Sequence, residues 1–138
     1  MTEPTTLLLV DDNPTFLRVL KSFLDENYPE EMLVVGTARG GEEALVKVEA
    51  LRPHIVLLDL AMPGLSGLET IPRLRSIMPD VGIIVLTVLD AKAYREAALT
   101  AGADDFVAEA SLYTDLIAAI QRLTQGRRFI GEAPPAPA

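Results

Sequence analysis

The chain has no cysteine, which excludes a disulfide framework, thiolate chemistry and thiolate metal sites. It is short of positive charge. Twelve Lys and Arg stand against 20 Asp and Glu, for a net charge of −8. That balance argues against a nucleic-acid surface and against docking on anionic membranes. Long apolar runs are missing as well: no stretch approaches the length needed to span a bilayer. The opening MTEPTTLLLVDD has only a four-residue apolar run, flanked by acids, and does not read as a secretory segment. A cytoplasmic protein without membrane contacts is the expectation. What is present is apolar content, 49% of 138 residues, enough for the core of one domain.

Short apolar runs alternate with amphipathic stretches five times. The runs are LLLV (7–10), MLVV (32–35), IVLL (55–58), IIVL (83–86) and FV (106–107). After the first, Phe16, Leu20, Phe23 and Leu24 keep helical spacing, with Asp12 or Asn13 as cap and Pro14 in the first turn. A second helix opens near Gly41, carries Ala44, Leu45, Val48 and Leu51, and stops before Pro53. A third opens at Ser66 with Glu69 placed for a capping box, while Pro72 is expected to kink it or shift its start. A fourth runs from about Ala91 to Ala101 and ends at Gly102; the fifth places Leu112, Leu116, Ile117, Ile120 and Leu123 on one side. Alternating strands and helices predict an α/β fold with a parallel sheet and right-handed crossovers. The runs near 7, 55 and 83 are the most uniformly apolar and are expected at its centre. Residues 126–138 are expected to form a flexible or extended linker or tail.

The segment HIVLLDLAMPGLSG (54–67) places a carboxylate, Asp59, directly after four apolar residues. Runs of this kind read as strands covered on both faces, and the following Pro and Gly end the strand, so Asp59 belongs at its carboxyl edge. Ligands bind at that edge in open α/β sheets. Asp11 and Asp12 follow the first strand in the same way, and Thr87 ends the fourth. If the first and third strands are neighbours, three carboxylates converge, each pair repelling by about 4 kcal/mol at an effective dielectric near 20. A divalent cation, a retained proton or water screening would each relieve this. Hard oxygen ligands suit Mg2+ or Mn2+ rather than zinc. Simple helix-capping acids facing solvent are the alternative, and three acids with a hydroxyl at three strand ends favour a site.

Taken in order, LLLVDDNP, IVLLDLAMPGLSGLE, IIVLT and AGADDFV resemble the receiver domain of two-component response regulators over residues 5–125. The resemblance implies a flavodoxin-like, doubly wound sheet of five parallel strands in the order 2-1-3-4-5, with five helices. It implies that Asp59 is the phosphoacceptor, served by a histidine kinase or phosphotransfer protein. It also implies that Asp11, Asp12, Asp59 and the backbone carbonyl of Ala61 hold Mg2+. By the same resemblance Thr87 is the switch hydroxyl and Phe106 the switch aromatic, which turns inward behind Thr87. Partners, a second copy among them, would meet the face of the fourth helix, fifth strand and fifth helix. LTQGRRFI resembles the segment leading to a helix-turn-helix output domain. No such domain follows, so the chain reads as a shortened form or a stand-alone receiver.

Three positions, at two places in the chain, depart from the family's pattern. Glu109 and Ala110 stand where a Lys and a Pro are usual, and Val88 replaces a small residue after Thr87. The first departure changes the local charge by two units; the second puts a stiff, branched side chain over Asp59. An atypical receiver with retained metal binding and weak phosphorylation is therefore expected. The alternatives are a phosphorylation-independent interaction module and a Mg2+-dependent phosphohydrolase. The latter lacks a substrate-recognition insertion and an acid two residues after Asp59. Arg39–Glu43 lacks the wider pattern of a phosphate-binding loop, and DDNP replaces the hydroxyl-rich loop of a flavin site. His54 is expected to start the third strand, and Tyr94 and Tyr113 to pack.

Overall fold

Each apolar run forms a strand covered on both faces because alternate side chains enter two different cores. The computed structural model describes residues 3–62, 64–87 and 92–131, with side chains through Gln125. Its elements are β1 (Thr5–Val10), α1 (Pro14–Asn27), β2 (Met32–Ala38), α2 (Gly41–Leu51), β3 (Ile55–Asp59) and α3 (Gly67–Ile77). They continue with β4 (Gly82–Thr87), α4 (Lys92–Ala101), β5 (Asp105–Ala108), a 3-10 turn (Glu109–Ser111) and α5 (Leu112–Gly131). The strands are parallel in the order β2-β1-β3-β4-β5, the flavodoxin-like arrangement expected. Leu7, Leu9, Leu57, Ile84 and Leu86 face α1 and α5, with Leu20, Leu24, Leu116 and Ile120. Leu8, Val10, Val56, Leu58, Ile83 and Val85 face α2, α3 and α4, with Val48, Ile71, Leu74 and Ala98. Each fully buried Leu or Ile contributes roughly 1.5–3 kcal/mol, so the two cores oppose any slip of register along β1, β3 and β4.

Local chemistry sets the helix starts. Asn13, not Asp12, caps α1: its side-chain oxygen accepts from the N–H groups of Thr15 (3.0 Å) and Phe16 (3.2 Å). Ser66 caps α3 in a full capping box, accepting from Glu69 N–H at 3.2 Å while Glu69 accepts from Ser66 N–H at 3.1 Å. Pro72 neither shifts that start nor ends the helix. The capping box fixes the first turn, and burial of Thr70, Ile71 and Leu74 holds the helix across the missing N–H. His54 does not open β3 but directly precedes it, and the Nδ1 of its ring accepts from Thr6 N–H at 2.9 Å.

Three expectations change. Residues 126–131 are not an extended tail but the last turns of α5. Gly126 costs a helix only about 1 kcal/mol, too little to stop one already propagating, and the prolines begin at Pro134. β2 runs three residues past the apolar stretch, to Ala38, because Gly36, Thr37 and Ala38 pair with Leu8, Leu9 and Val10. Tyr94 does not pack: it is 42% exposed, whereas Tyr113 lies 4.6 Å from Phe23, centroid to centroid. Ala91, expected to open the fourth helix, and Val88 lie outside the described residues.

Candidate functional site

Strand register brings the polar residues together. Val10 of β1 lies opposite Leu58 of β3, Asp59 lies opposite Leu86 of β4, and Thr87 lies opposite Ala108 of β5. Asp11, Asp59, Thr87 and Glu109 therefore leave four adjacent strands at one carboxyl edge. Two close approaches hold the backbone there. Asp11 N–H donates to the carbonyl of Ala38 at 3.0 Å. A Cβ on Gly67 would come within 2.4 Å of the Asp59 carbonyl oxygen, so only glycine lets α3 start against this strand end. Sequence reading placed Gly67 in the tight loop after β3, since nothing local distinguishes a glycine of close approach from one in a turn.

The carboxylates of Asp11, Asp12 and Asp59 lie with ligand atoms within 4.8 Å of one another. Asp11 and Asp59 are buried, at 5% and 8% exposure, while Asp12 is open to solvent. One oxygen of Asp11 accepts from Asn13 N–H at 2.9 Å, and one of Asp59 accepts from Ala61 N–H at 3.2 Å. Thr87 is buried at 1% exposure. The grouping of three acids and a hydroxyl at the ends of β1, β3 and β4 is as the sequence suggested.

Burial and mutual repulsion make these acids reluctant to ionise. Loss of water raises Asp59 from 3.8 to about 7; the Asp11 charge adds to this, the Ala61 N–H opposes it, and Asp12 and Glu109 raise it further. Asp11 rises to about 6, again chiefly by burial, against the Asn13 N–H and with Asp12 and Glu109 adding to the rise. Glu109 thus acts on both buried acids as a fourth negative charge. Glu109 is half-buried in the 3-10 turn, and its carboxylate lies outside the group of three that come within 4.8 Å of one another. Among the described residues, no Lys or Arg forms an ion pair with any of the four. All-oxygen donors, negative charge and missing cationic partners fit a hard divalent cation such as Mg2+ or Mn2+.

Phe106 lies inward, 6% exposed, against the core under α4. The guanidinium of Arg95, on α4, sits 5.5 Å from its ring centroid. Sequence reading missed Arg95 because no fixed spacing links a helix residue to the strand that follows it. On the same side, Arg122 of α5 pairs with Asp105 of β5 at 2.5 Å, tying helix to strand. Among the described residues no helix is long and apolar enough to cross a membrane.

The family model described as the response regulator receiver domain matches residues 7–121. The nitrate/nitrite response regulator protein NarL of Escherichia coli (strain K12) is 34% identical over 131 residues, covering 95% of this chain and 60% of that protein. Response regulator GacA of Pseudomonas protegens is 32% identical over 90% of this chain and 57% of its own length. This chain thus spans about three-fifths of the curated relatives it matches. A two-component response regulator of the LuxR family from Aurantimonas sp. SI85-9A1 superposes with a TM-score of 0.84 at 28% identity, covering 90% of this chain and 87% of that one. The response regulator domain of Thermotoga maritima CheB gives 0.76 at 27%, over 89% and 96%.

Proposed function

The chain belongs to the response regulator receiver domain family, and on that premise we propose that Asp59 accepts a phosphoryl group from a histidine kinase or phosphotransfer protein. The observation that carries this is the buried Asp59 carboxylate at the end of β3, with Asp11 and Asp12 close enough to share one ion. Asp11, Asp12, Asp59 and the Ala61 carbonyl would hold Mg2+ or Mn2+. When bound, the cation offsets charge on the attacking carboxylate and on the transferred phosphoryl group. An Asp59 oxygen attacks phosphorus, the bond from phosphorus to the donor nitrogen breaks, and an acyl phosphate forms as the imidazole leaves. Thr87 supplies a hydroxyl donor for a phosphoryl oxygen at the end of β4. Receivers are signalling modules rather than enzymes, and this chain's output is a change in partner binding through the face of α4, β5 and α5. Cytoplasmic location accords with that role, as does the receiver boundary at 5–125.

Glu109 weakens the transfer by facing the incoming phosphoryl group with a like charge. Val88, which follows Thr87 in the sequence and lies outside the described residues, is a stiff, branched residue expected to slow access to Asp59. Phe106 is already inward, which also favours a second reading, an interaction module that binds its partner without phosphorylation. Incubation with acetyl phosphate and Mg2+, followed by intact mass, tests both. A slow gain of one phosphoryl group, lost in Asp59→Asn and faster in Val88→Ala, supports the first. No adduct under prolonged incubation supports the second, and an adduct that survives Asp59→Asn rejects Asp59 as acceptor.

A further inference from the structure

The four acids at the sheet edge differ in what surrounds them. Asp11 and Asp59 are more than nine-tenths buried, each has one backbone N–H donor, and neither forms an ion pair among the described residues. Glu109 follows directly on Ala108, the residue of β5 paired with Thr87, so it occupies the place on this edge next to β4. In the family resemblance a lysine stands at this position, and its ammonium would compete with any cation for the aspartates. Here that competitor is replaced by another oxygen donor. The local charge becomes −4 when all four acids are ionised, rather than −2 with a lysine.

Resting on the reading of Asp11, Asp12 and Asp59 as a cation site, we propose that Glu109, outside that group of three but at the same sheet edge, is a flanking carboxylate that tightens the site's hold on a hard divalent cation. Glu109 either joins the coordination through a water or acts through space, and either way its charge favours the bound cation. Because Glu109 opens the 3-10 turn that joins β5 to α5, three residues after Phe106, a bound cation would also be felt in that turn. The chain then responds to cation occupancy itself, before any phosphoryl transfer.

Titration of the intact protein with MgCl2, without phosphodonor and at fixed pH, tests this by calorimetry and by amide NMR shifts. A unit charge removed from about 6 Å of a divalent ion changes its affinity about tenfold even at the dielectric of water, and this is the weakening expected for Glu109→Gln. Glu109→Lys should weaken binding by a further factor of about ten. Amides of Glu109–Ser111 should shift with Mg2+ in the unaltered protein and lose that shift in Glu109→Gln, while those at Asp11 and Asp59 still respond. Equal Mg2+ affinity in the unaltered protein and Glu109→Gln overturns the role of Glu109 and leaves the three-aspartate site standing. Failure of the unaltered protein to bind Mg2+ at all overturns both. Thermal unfolding without Mg2+ confirms that each variant is folded.

Discussion

Glu109→Lys is expected to accept phosphoryl groups from acetyl phosphate at least tenfold faster than the unaltered protein, when both are saturated with Mg2+. The change is worth two charge units beside the point where negative charge accumulates. For charges about 6 Å apart, even with the dielectric of water, two units acting on one phosphoryl charge amount to about 1.4 kcal/mol, or a factor of ten. The partly desolvated edge around Asp59 makes that a lower bound, since charges interact more strongly where water is excluded. Glu109→Gln should fall between the two. Saturation matters, because the same lysine is expected to weaken cation binding; at low Mg2+ the two effects oppose each other. The response to beryllofluoride should follow the same order, read from the amides of Phe106 and of α4. Equal labelling rates for the unaltered protein and Glu109→Lys would remove Glu109 as a brake on phosphorylation.

The site was legible in the sequence to the extent that strand ends were legible. Four apolar residues followed by Asp59, and four followed by Asp11 and Asp12, place these acids at a sheet edge by the length of the runs alone. That β1 and β3 are neighbours came from the family resemblance, since apolar pattern carries no information about strand order. Features that depend on contacts across the fold stayed hidden. Leu57 and Leu58 look alike in the sequence yet serve opposite cores. Arg95 reaches Phe106 through the packing of α4 on β5, and Gly67 is set by its approach to the Asp59 carbonyl. The end of α5 was misplaced for a different reason: residues 126–138 were read as a tail from their Pro and Ala content, but the prolines begin only at Pro134, and Gly126 costs a helix already several turns long only about 1 kcal/mol.

The second large effect concerns stability. Without divalent cation, the protein is expected to lose stability steadily as pH rises from about 4 to about 7. Asp59 and Asp11 have folded values raised to about 7 and about 6 from an ordinary 3.8. Across that window the folded chain holds protons that the unfolded chain has released, so raising the pH favours unfolding. The stability from keeping these acids neutral is fully present below the ordinary value and gone above the raised ones. The two acids repel each other and titrate together, so the loss belongs to the pair and is on the order of several kcal/mol. Mg2+ is expected to reverse it, because a cation held at the ionised, folded site would draw the equilibrium toward the native state by mass action. Thermal midpoints should therefore fall between about pH 4 and about pH 7 in chelator and stay nearly level in saturating Mg2+. Asp59→Asn should be more stable than the unaltered protein at about pH 8 in chelator, having exchanged a buried charge for a neutral amide of similar shape, and its midpoint should depend less on pH. A midpoint in chelator that is level across this range, or one that rises, would mean that the acids ionise freely in the folded state and that repulsion at this edge is screened by water.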